Sequence, residues 1–445
     1  MSDILNELSS IIQRRDTPDP ELIKKHNIKL GLRNEDGSGV IVGLTGKGSV
    51  TSYTKDASGR KVDAEGELYY CGINIQDLAS AHRTGFGYEE TAFLLLTGML
   101  PTRTQLDRFI EYMATRRTLP FRFRNDLSSI VNNNMMNSLQ IAVCNLYGED
   151  PLPDSTAIKD VTRHSIDLIA KFPALVAYAY HSMQFKYCGQ SLTLMNPAPS
   201  GSLAENFLHM FRAGQGFTTE EVRLLDLFLI LHAEHGGGNN STFTVRTVSS
   251  SETDTYSAIT AGLTSLKGHL HGGANEKVMS MFAEIKTEVK DWRDQDEVAA
   301  YLRRVFYKQA GDRSGKLYGI GHAVYTLSDP RAIILKEVTR KLAVTRQRTD
   351  EFELLALMGE LGPRIVEEGK PGKKVAPNVD FYSGFMLDCM NIPTEIYTPL
   401  FAMARISGWC AHRLEQLVQN RLIRPAYLNA MPKRSYLPIE QRVAT

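Results

Sequence analysis

The sequence predicts a mainly α-helical protein of more than one domain, with a small β-hairpin region near its N-terminus. Three observations carry this expectation: apolar residues recurring every three or four positions over most of the chain, one short alternating stretch bounded by turn residues, and a length of 445 residues. Positions i, i+3, i+4 and i+7 share one face of a helix, so that recurrence marks elements that bury one side. At ~150 residues per domain the length fits two or three units, enough for a sizeable core.

The opening MSDILNELSSIIQRRD is acidic and polar from Asp3 onward, which fits neither a signal peptide nor a transit peptide, so a cytoplasmic protein is expected. From Gly39 to Asp77 the chain is rich in Gly, Ser, Thr and Tyr; alternation over Ser49–Tyr53 and a turn at Ala57-Ser58-Gly59 predict the hairpin. Helical spacing follows at Leu106/Phe109/Met113, Val222/Leu225/Phe228/Leu231, Ile259/Leu263/Leu266 and Val278/Met281/Phe282. Thr218-Thr219-Glu220-Glu221 and Asp350-Glu351-Phe352-Glu353 are helix-start signals. Loops are expected at Asn196–Gly201, Gly236–Asn240 and Gly369–Lys374, and the charged helical stretch Lys286–Glu368 reads as a separate smaller domain. No repeat of 20 to 50 residues is visible, and no apolar run approaches the ~18 residues of a membrane span.

With 51 Lys+Arg against 50 Asp+Glu the formal charge is +1, which gives no global attraction to nucleic acid or an anionic membrane and leaves small molecules as the expected partners. Five dispersed cysteines without a C-x-x-C argue against a disulfide framework or a cysteine metal site.

Five histidines, His232, His235, His269, His271 and His322, sit in or beside glycine-rich sequence. His232 and His235 close an apolar helix, where histidines commonly interact with the helix dipole. Being i and i+3 they also share a face, and with His269 and His271 they could ligate zinc; the H-E-x-x-H order and any accompanying carboxylate or cysteine cluster are missing, so no metal is expected. The segment from Gly268 to Glu276 delivers His271 to a helix start, where partial positive charge favours a neutral imidazole able to donate one hydrogen bond to a developing enolate. Gly319-Ile320-Gly321-His322 precedes Asp329-Pro330-Arg331, placing a histidine and a carboxylate-matching guanidinium near one helix entrance. Gly311–Lys316 imitates a phosphate loop with too few residues between its glycines, and Gly43–Gly48 fails the dinucleotide fingerprint; both read as turns. Asp380 alone suits an N-cap or turn. Arg405, inside the apolar run that starts at Phe401, needs an anionic partner or substrate, whereas Arg424 beside Pro425 suits the surface.

Taken together, LHAEHGGGNNSTFTVRTVSS, GHLHGGANEKV, GIGHAVYTLSDPRA, PNVDFYSG, FAMARISGWCAHR and RPAYL resemble the successive motifs of the citrate synthase family, in order. The resemblance extends upstream through LMNPAPSGSLAENFLHM and GELYYCGINIQDLA, so it covers the chain from about Gly43; Cys71 stands where relatives commonly carry Arg, which puts a CoA-phosphate contact there in doubt. The family's fold implies a large domain from residues 1–278 and 388–445, a small domain from 279–387, and a homodimer with active sites in the interdomain cleft. The resemblance gives Asp380 as the base that takes a methyl proton from acetyl-CoA, His271 as the enolate stabiliser and His322 as the group that polarises the oxaloacetate carbonyl. It gives His235, Arg331, Arg405 and, from the partner chain, Arg424 as oxaloacetate ligands. CoA contacts are implied along the Lys316–Ala323 loop, at Lys316, Leu317, Gly319, Ile320, Gly321 and Ala323, with Lys373 and Lys374 near the phosphates. No cofactor is implied, acetyl-CoA being a substrate. The alternatives are a 2-methylcitrate synthase using propionyl-CoA, a metal-dependent lyase and a non-catalytic helical scaffold.

Overall fold

The computed structural model describes residues 2–442 other than 17, 18, 36, 81–84 and 432. The chain divides into two compact units, residues 1–44 with 423–445, and residues 45–422. In the first, α1 (Ser2–Asp16) is followed by α2 (Pro20–Lys25). The Asp19 carboxylate accepts from the N–H groups of Glu21 and Leu22 and so caps α2. The described residues of its C-terminal stretch are irregular apart from a 3-10 turn at Ile439–Gln441.

The second unit opens on an antiparallel ribbon, β1 (Gly48–Lys55), β2 (Lys61–Tyr70) and the two-residue β3 (Ile73–Asn74), in that spatial order. Its turn lies where the sequence predicts it, closed by the Asp56 carboxylate, which accepts from the N–H groups of Ser58 and Arg60 at 2.8 and 2.9 Å. Strand pairing starts at Gly48 rather than at Gly39. The ladder is interrupted: Thr51 faces Glu67 but Tyr53 faces Asp63, so Ala64, Glu65 and Gly66 stand opposite Ser52 alone.

Among the described residues sixteen α-helices follow: α3 (Ile75–Ala79), α4 (Gly87–Thr97), α5 (Arg103–Arg116), α6 (Phe121–Ile130), α7 (Met135–Asn145), α8 (Ile158–Cys188), α9 (Leu203–Phe211), α10 (Thr219–His232), α11 (Asn240–Ser249), α12 (Thr255–Lys267), α13 (Ala274–Glu288), α14 (Gln295–Phe306), α15 (Pro330–Thr345), α16 (Thr349–Gly369), α17 (Val379–Cys389) and α18 (Tyr397–Val418). The predicted start at Thr218 is a full capping box with Glu221, whereas the acidic residues from Asp350 lie in the first turn of α16, whose cap residue Arg348 makes no side-chain cap bond. Lys286–Glu368 is not one helical stretch, because residues 307–329 are irregular. None of the described helices is long and apolar enough to cross a membrane.

α18 is the hub, packing against α4, α8, α10, α11 and α12. Its buried positions run round the whole helix, Leu400, Met403, Ile406, Trp409 and Cys410 among them, each large apolar one contributing about 1.5–3 kcal/mol. Its buried polar groups are bonded across helices: Arg413 donates to Thr255 Oγ1, Ser249 Oγ and the Thr253 carbonyl. α13 to α17 pack chiefly on one another, through the pairs α15/α17, α14/α16 and α13/α17.

Two glycines let helices close on α18. A Cβ on Gly408 would stand 2.3 Å from the Ala233 carbonyl oxygen, which is backbone and has nowhere to go; one on Gly262 would stand 2.7 Å from Val245 Cγ2, a side-chain atom. We therefore expect Gly408→Ala to cost about 1–3 kcal/mol or more and Gly262→Ala less. Thermal unfolding checks the order: Tm falls further for Gly408→Ala, and equal values would contradict the packing argument.

Candidate active site

The starts of α15 and α17 meet at the Asp329 carboxylate. Asp329 caps α15 and accepts from Arg331 N at 3.0 Å, Arg331 Nε at 3.0 Å and Arg331 Nη2 at 2.7 Å, while its second oxygen also takes the Val379 N–H at 3.2 Å. Burial opposes the Arg331 charge, yet this carboxylate holds the guanidinium above its ordinary pKa. Val379 precedes Asp380, which stands in the first turn of α17. The cap there is Asn378, whose Oδ1 accepts the Asp380 N–H, so the plain reading of Asp380 as the cap gives way to its neighbour. The Asp380 side chain is left unclaimed by capping, and burial pushes its carboxyl up to about 6, against the opposing pull of Arg331.

Asn378 also joins this helix start to the His322 loop. Its Nδ2 donates to the Gly321 carbonyl, its N–H to the Gly319 carbonyl, and the Gly321 N–H donates to Ala376, each at 2.8 Å. Gly319 must be glycine twice over: φ is +75°, and a Cβ would come within 2.8 Å of both Val278 and Phe381. His322 follows. Its Nδ1 accepts the N–H groups of Val324 and Tyr325 at 3.0 and 3.2 Å, which puts the ring proton on Nε2. The ring stacks on Tyr325 at 4.8 Å and meets His235 edge-on at 5.0 Å.

His235 lies three residues beyond the end of α10, and its Nε2 is buried with no partner among the described residues. Burial first, then Arg331 and His322, drive its pKa well below the usual value, so it is neutral. His232, at the last position of α10, donates from Nδ1 to the Phe228 carbonyl at 2.8 Å and is likewise held neutral by burial, which removes the charged helix-dipole reading. Its carbonyl receives Arg405 Nε at 2.6 Å. Arg405 is fully buried on α18, yet its Nη1 has no partner among the described residues, and burial pushes it down to about 10. That is a cation desolvated without an ion pair. Glu234, the acid that most offsets this loss, is engaged at 2.9 Å by His412.

His271 lies in a turn before α13, with its own N–H bonded to the Gly268 carbonyl. Its Nε2 faces the Ser241 N–H at 3.4 Å and the Ser241 hydroxyl at 2.9 Å, and Trp409 Nε1–H donates to that hydroxyl at 3.1 Å. A backbone donor aimed at Nε2 leaves the proton on Nδ1. The imidazole is neutral, as the sequence predicts, but the causes are burial and Arg405, which lower it to about 4. Arg405 acts on Asp380, His235, His271 and Tyr70 alike, so these groups share one electrostatic neighbourhood.

Lys316, Lys373 and Lys374 are exposed, with Lys374 Nζ 3.5 Å from Asp63; Leu317 is buried, and Gly319, Ile320, Gly321 and Ala323 continue the loop into His322. Cys71 turns its thiol to the Leu94 carbonyl at 3.4 Å. Arg424 is exposed in the terminal unit. Among the described residues no group of three or more His, Cys, Asp or Glu could hold a metal ion. The sequence-based expectations give no role to Asp329, Asn378 or Ser241, which orient the site; Asp before Pro330 and Asn before Val379 carry cap signals that could have found two of them.

A family model described as the citrate synthase C-terminal domain matches residues 43–426. The citrate synthase of Acidithiobacillus ferridurans is 36% identical over 90% of this chain and 98% of its own, and the 2-methylcitrate synthase of Shewanella oneidensis is 32% identical over 84% and 92%. A solved citrate synthase of Thermoplasma acidophilum, in ternary complex with carboxymethyl coenzyme A and oxaloacetate, superposes with a TM-score of 0.75 at 28% identity, over 93% of this chain and 99% of that one. With a family match across most of its length and relatives of this identity and coverage, the chain belongs to the citrate synthase family.

Proposed function

We propose that the chain condenses the acetyl group of acetyl-CoA with oxaloacetate and water to give citrate and CoA, the entry step of the tricarboxylic acid cycle. The observation that carries this is a pair of histidines with opposite, fixed tautomers, His271 with its proton on Nδ1 and His322 with its proton on Nε2, beside a carboxyl of raised pKa and a buried arginine with an unpartnered N–H. A carbanion equivalent forms only if base and oxyanion donor act together. Asp380 takes a methyl proton, His271 Nδ1–H bonds the thioester oxygen as it becomes an enolate, and His322 Nε2–H polarises the oxaloacetate carbonyl for attack by the new carbon nucleophile. Arg405 Nη1, Arg331 and the unpartnered His235 Nε2 suit a dicarboxylate that also carries a carbonyl. Hydrolysis of the citryl-CoA thioester then makes the reaction effectively irreversible.

By the family resemblance Arg424 completes this site in a second copy, the chain acts as a homodimer in the cytoplasm, and residues 279–387 close as a small domain on a large one made of 1–278 and 388–445. The mutual packing of α13 to α17 supports that division. The 316–323 backbone is proposed to meet the CoA adenine, with Lys373 and Lys374 near its phosphates. No metal or redox group enters the steps.

The second reading, a 2-methylcitrate synthase, is favoured by the Shewanella oneidensis match. One methylene changes selectivity by only ~1–3 kcal/mol, so the same base and histidines serve either acyl chain.

Oxaloacetate-dependent release of CoA thiol, run with acetyl-CoA and propionyl-CoA in EDTA, tests the proposal: faster acetyl-CoA turnover is expected, propionyl-CoA preference selects the second reading, and loss of turnover to chelator overturns the metal-free mechanism. Asp380→Asn should lower kcat about 10²–10⁴-fold while calorimetry finds oxaloacetate binding largely retained. Because Asp380 is raised from 3.8 to about 6 and acts ionised, kcat/KM for acetyl-CoA should be full above that pH and fall as pH drops through about 6. A pH profile flat from 5 to 7 would exclude Asp380 as the base.

A further inference from the structure

The β-ribbon reaches the loop that holds His322, and it does so where its own ladder fails. Ser52 sits at the register break, only 4% exposed, and its hydroxyl donates to the Val324 carbonyl at 2.5 Å. Opposite it, the Gly66 N–H is turned out of the ladder to donate to Ser328 Oγ at 3.1 Å. A Cβ on Gly66 would stand 2.2 Å from the Ser328 carbonyl oxygen and 2.6 Å from Tyr325 Cδ1, so the loop lies directly on the ribbon. Irregular ladders commonly re-aim a side chain in this way.

The bond made by Ser52 has a particular geometry. The Val324 carbonyl and the Tyr325 N–H belong to one peptide unit, which is planar and trans, so they point in opposite directions along one line. Ser52 holds the oxygen end of that unit, and the N–H end donates to His322 Nδ1 at 3.2 Å. A donor on a peptide oxygen polarises the peptide and strengthens its N–H as a donor. The same peptide leads into Tyr325, whose ring stacks on the His322 imidazole.

We propose that Ser52 is a positioning residue for the condensation: through the Val324–Tyr325 peptide it fixes the aim of His322, whose tautomer the Val324 N–H also holds. This rests on the reading above that His322 polarises the oxaloacetate carbonyl.

The test compares the full-length wild type, Ser52→Ala, Ser52→Thr and His322→Gln, reading kcat, KM for oxaloacetate, Tm and the ¹³C shift of bound [2-¹³C]oxaloacetate, which reports carbonyl polarisation. Ser52→Ala should lower kcat about tenfold, the size of one lost hydrogen bond, with a much smaller change in KM. Its bound carbonyl shift should move from the wild-type value toward that of free oxaloacetate, and Ser52→Thr, which keeps the hydroxyl, should restore both. Should Ser52→Ala not fold, Ser52→Cys, of similar size and a weaker donor, is read by the same criteria. A wild-type shift in Ser52→Ala, whatever its kcat, overturns the proposal and leaves Ser52 a packing residue. If the wild type and His322→Gln show the same bound shift, the His322 reading fails and the Ser52 proposal with it.

Discussion

The Asp329 carboxylate fixes two helix starts at once, accepting three N–H groups of Arg331 and the N–H of Val379, and so sets the distance between the guanidinium on α15 and the Asp380 carboxyl on α17. A buried ion pair of this kind is weak as a source of stability, but removing one partner strands the other at a cost of about 3–5 kcal/mol. Arg331 is therefore locked. Arg405 is the opposite case: equally buried, it has a backbone carbonyl on Nε and nothing on Nη1 among the described residues. One arginine is anchored by protein and the other keeps its desolvated donor for an anion, which is preorganisation paid in stability.

Burial first, and the charges of Arg405 and Arg331 after it, set the state of the imidazoles. Burial and the arginine field hold His235 and His271 neutral, while backbone and side-chain donors decide which nitrogen of His271 and His322 carries the proton. A neutral imidazole donates a hydrogen bond without giving up its proton at low cost, which suits stabilising an oxyanion rather than protonating it. Asp380 is a group in this neighbourhood that changes charge close to physiological pH, because burial has moved it up to about 6.

Much of this was legible before the fold. The helical periodicities, the hairpin turn and the Thr218 capping box are local properties, written in neighbouring residues. So were the glycine-flanked histidines and the Asp-Pro-Arg helix entrance. What sequence could not supply is whatever depends on a distant element. His271 looks like a helix-start histidine, yet its tautomer is set by Ser241, 30 residues earlier, and its neutrality by burial and then by Arg405. Ser52 reads as one polar residue in an alternating strand, with no sign that it points at residue 324. Asn378 carried a cap signal but hid a second role, since the Gly321 carbonyl it holds comes from a loop 57 residues away. The charged stretch after Lys286 looked continuous because charge and periodicity do not reveal where an irregular segment of 23 residues, 307–329, must thread between helices.

The ribbon's long reach has a consequence for biosynthesis. Ser52 and Val324 are 272 residues apart. At ~5–20 residues per second, the ribbon leaves the ribosome roughly 14–54 s before the loop it holds. The β1 edge of the ribbon, with no further strand paired to it among the described residues, is a template for pairing with other chains during that wait. The break opposite Ser52 bends and twists the ribbon at that point, so the irregularity that later grips the active-site loop also makes the nascent edge a poorer template for aggregation.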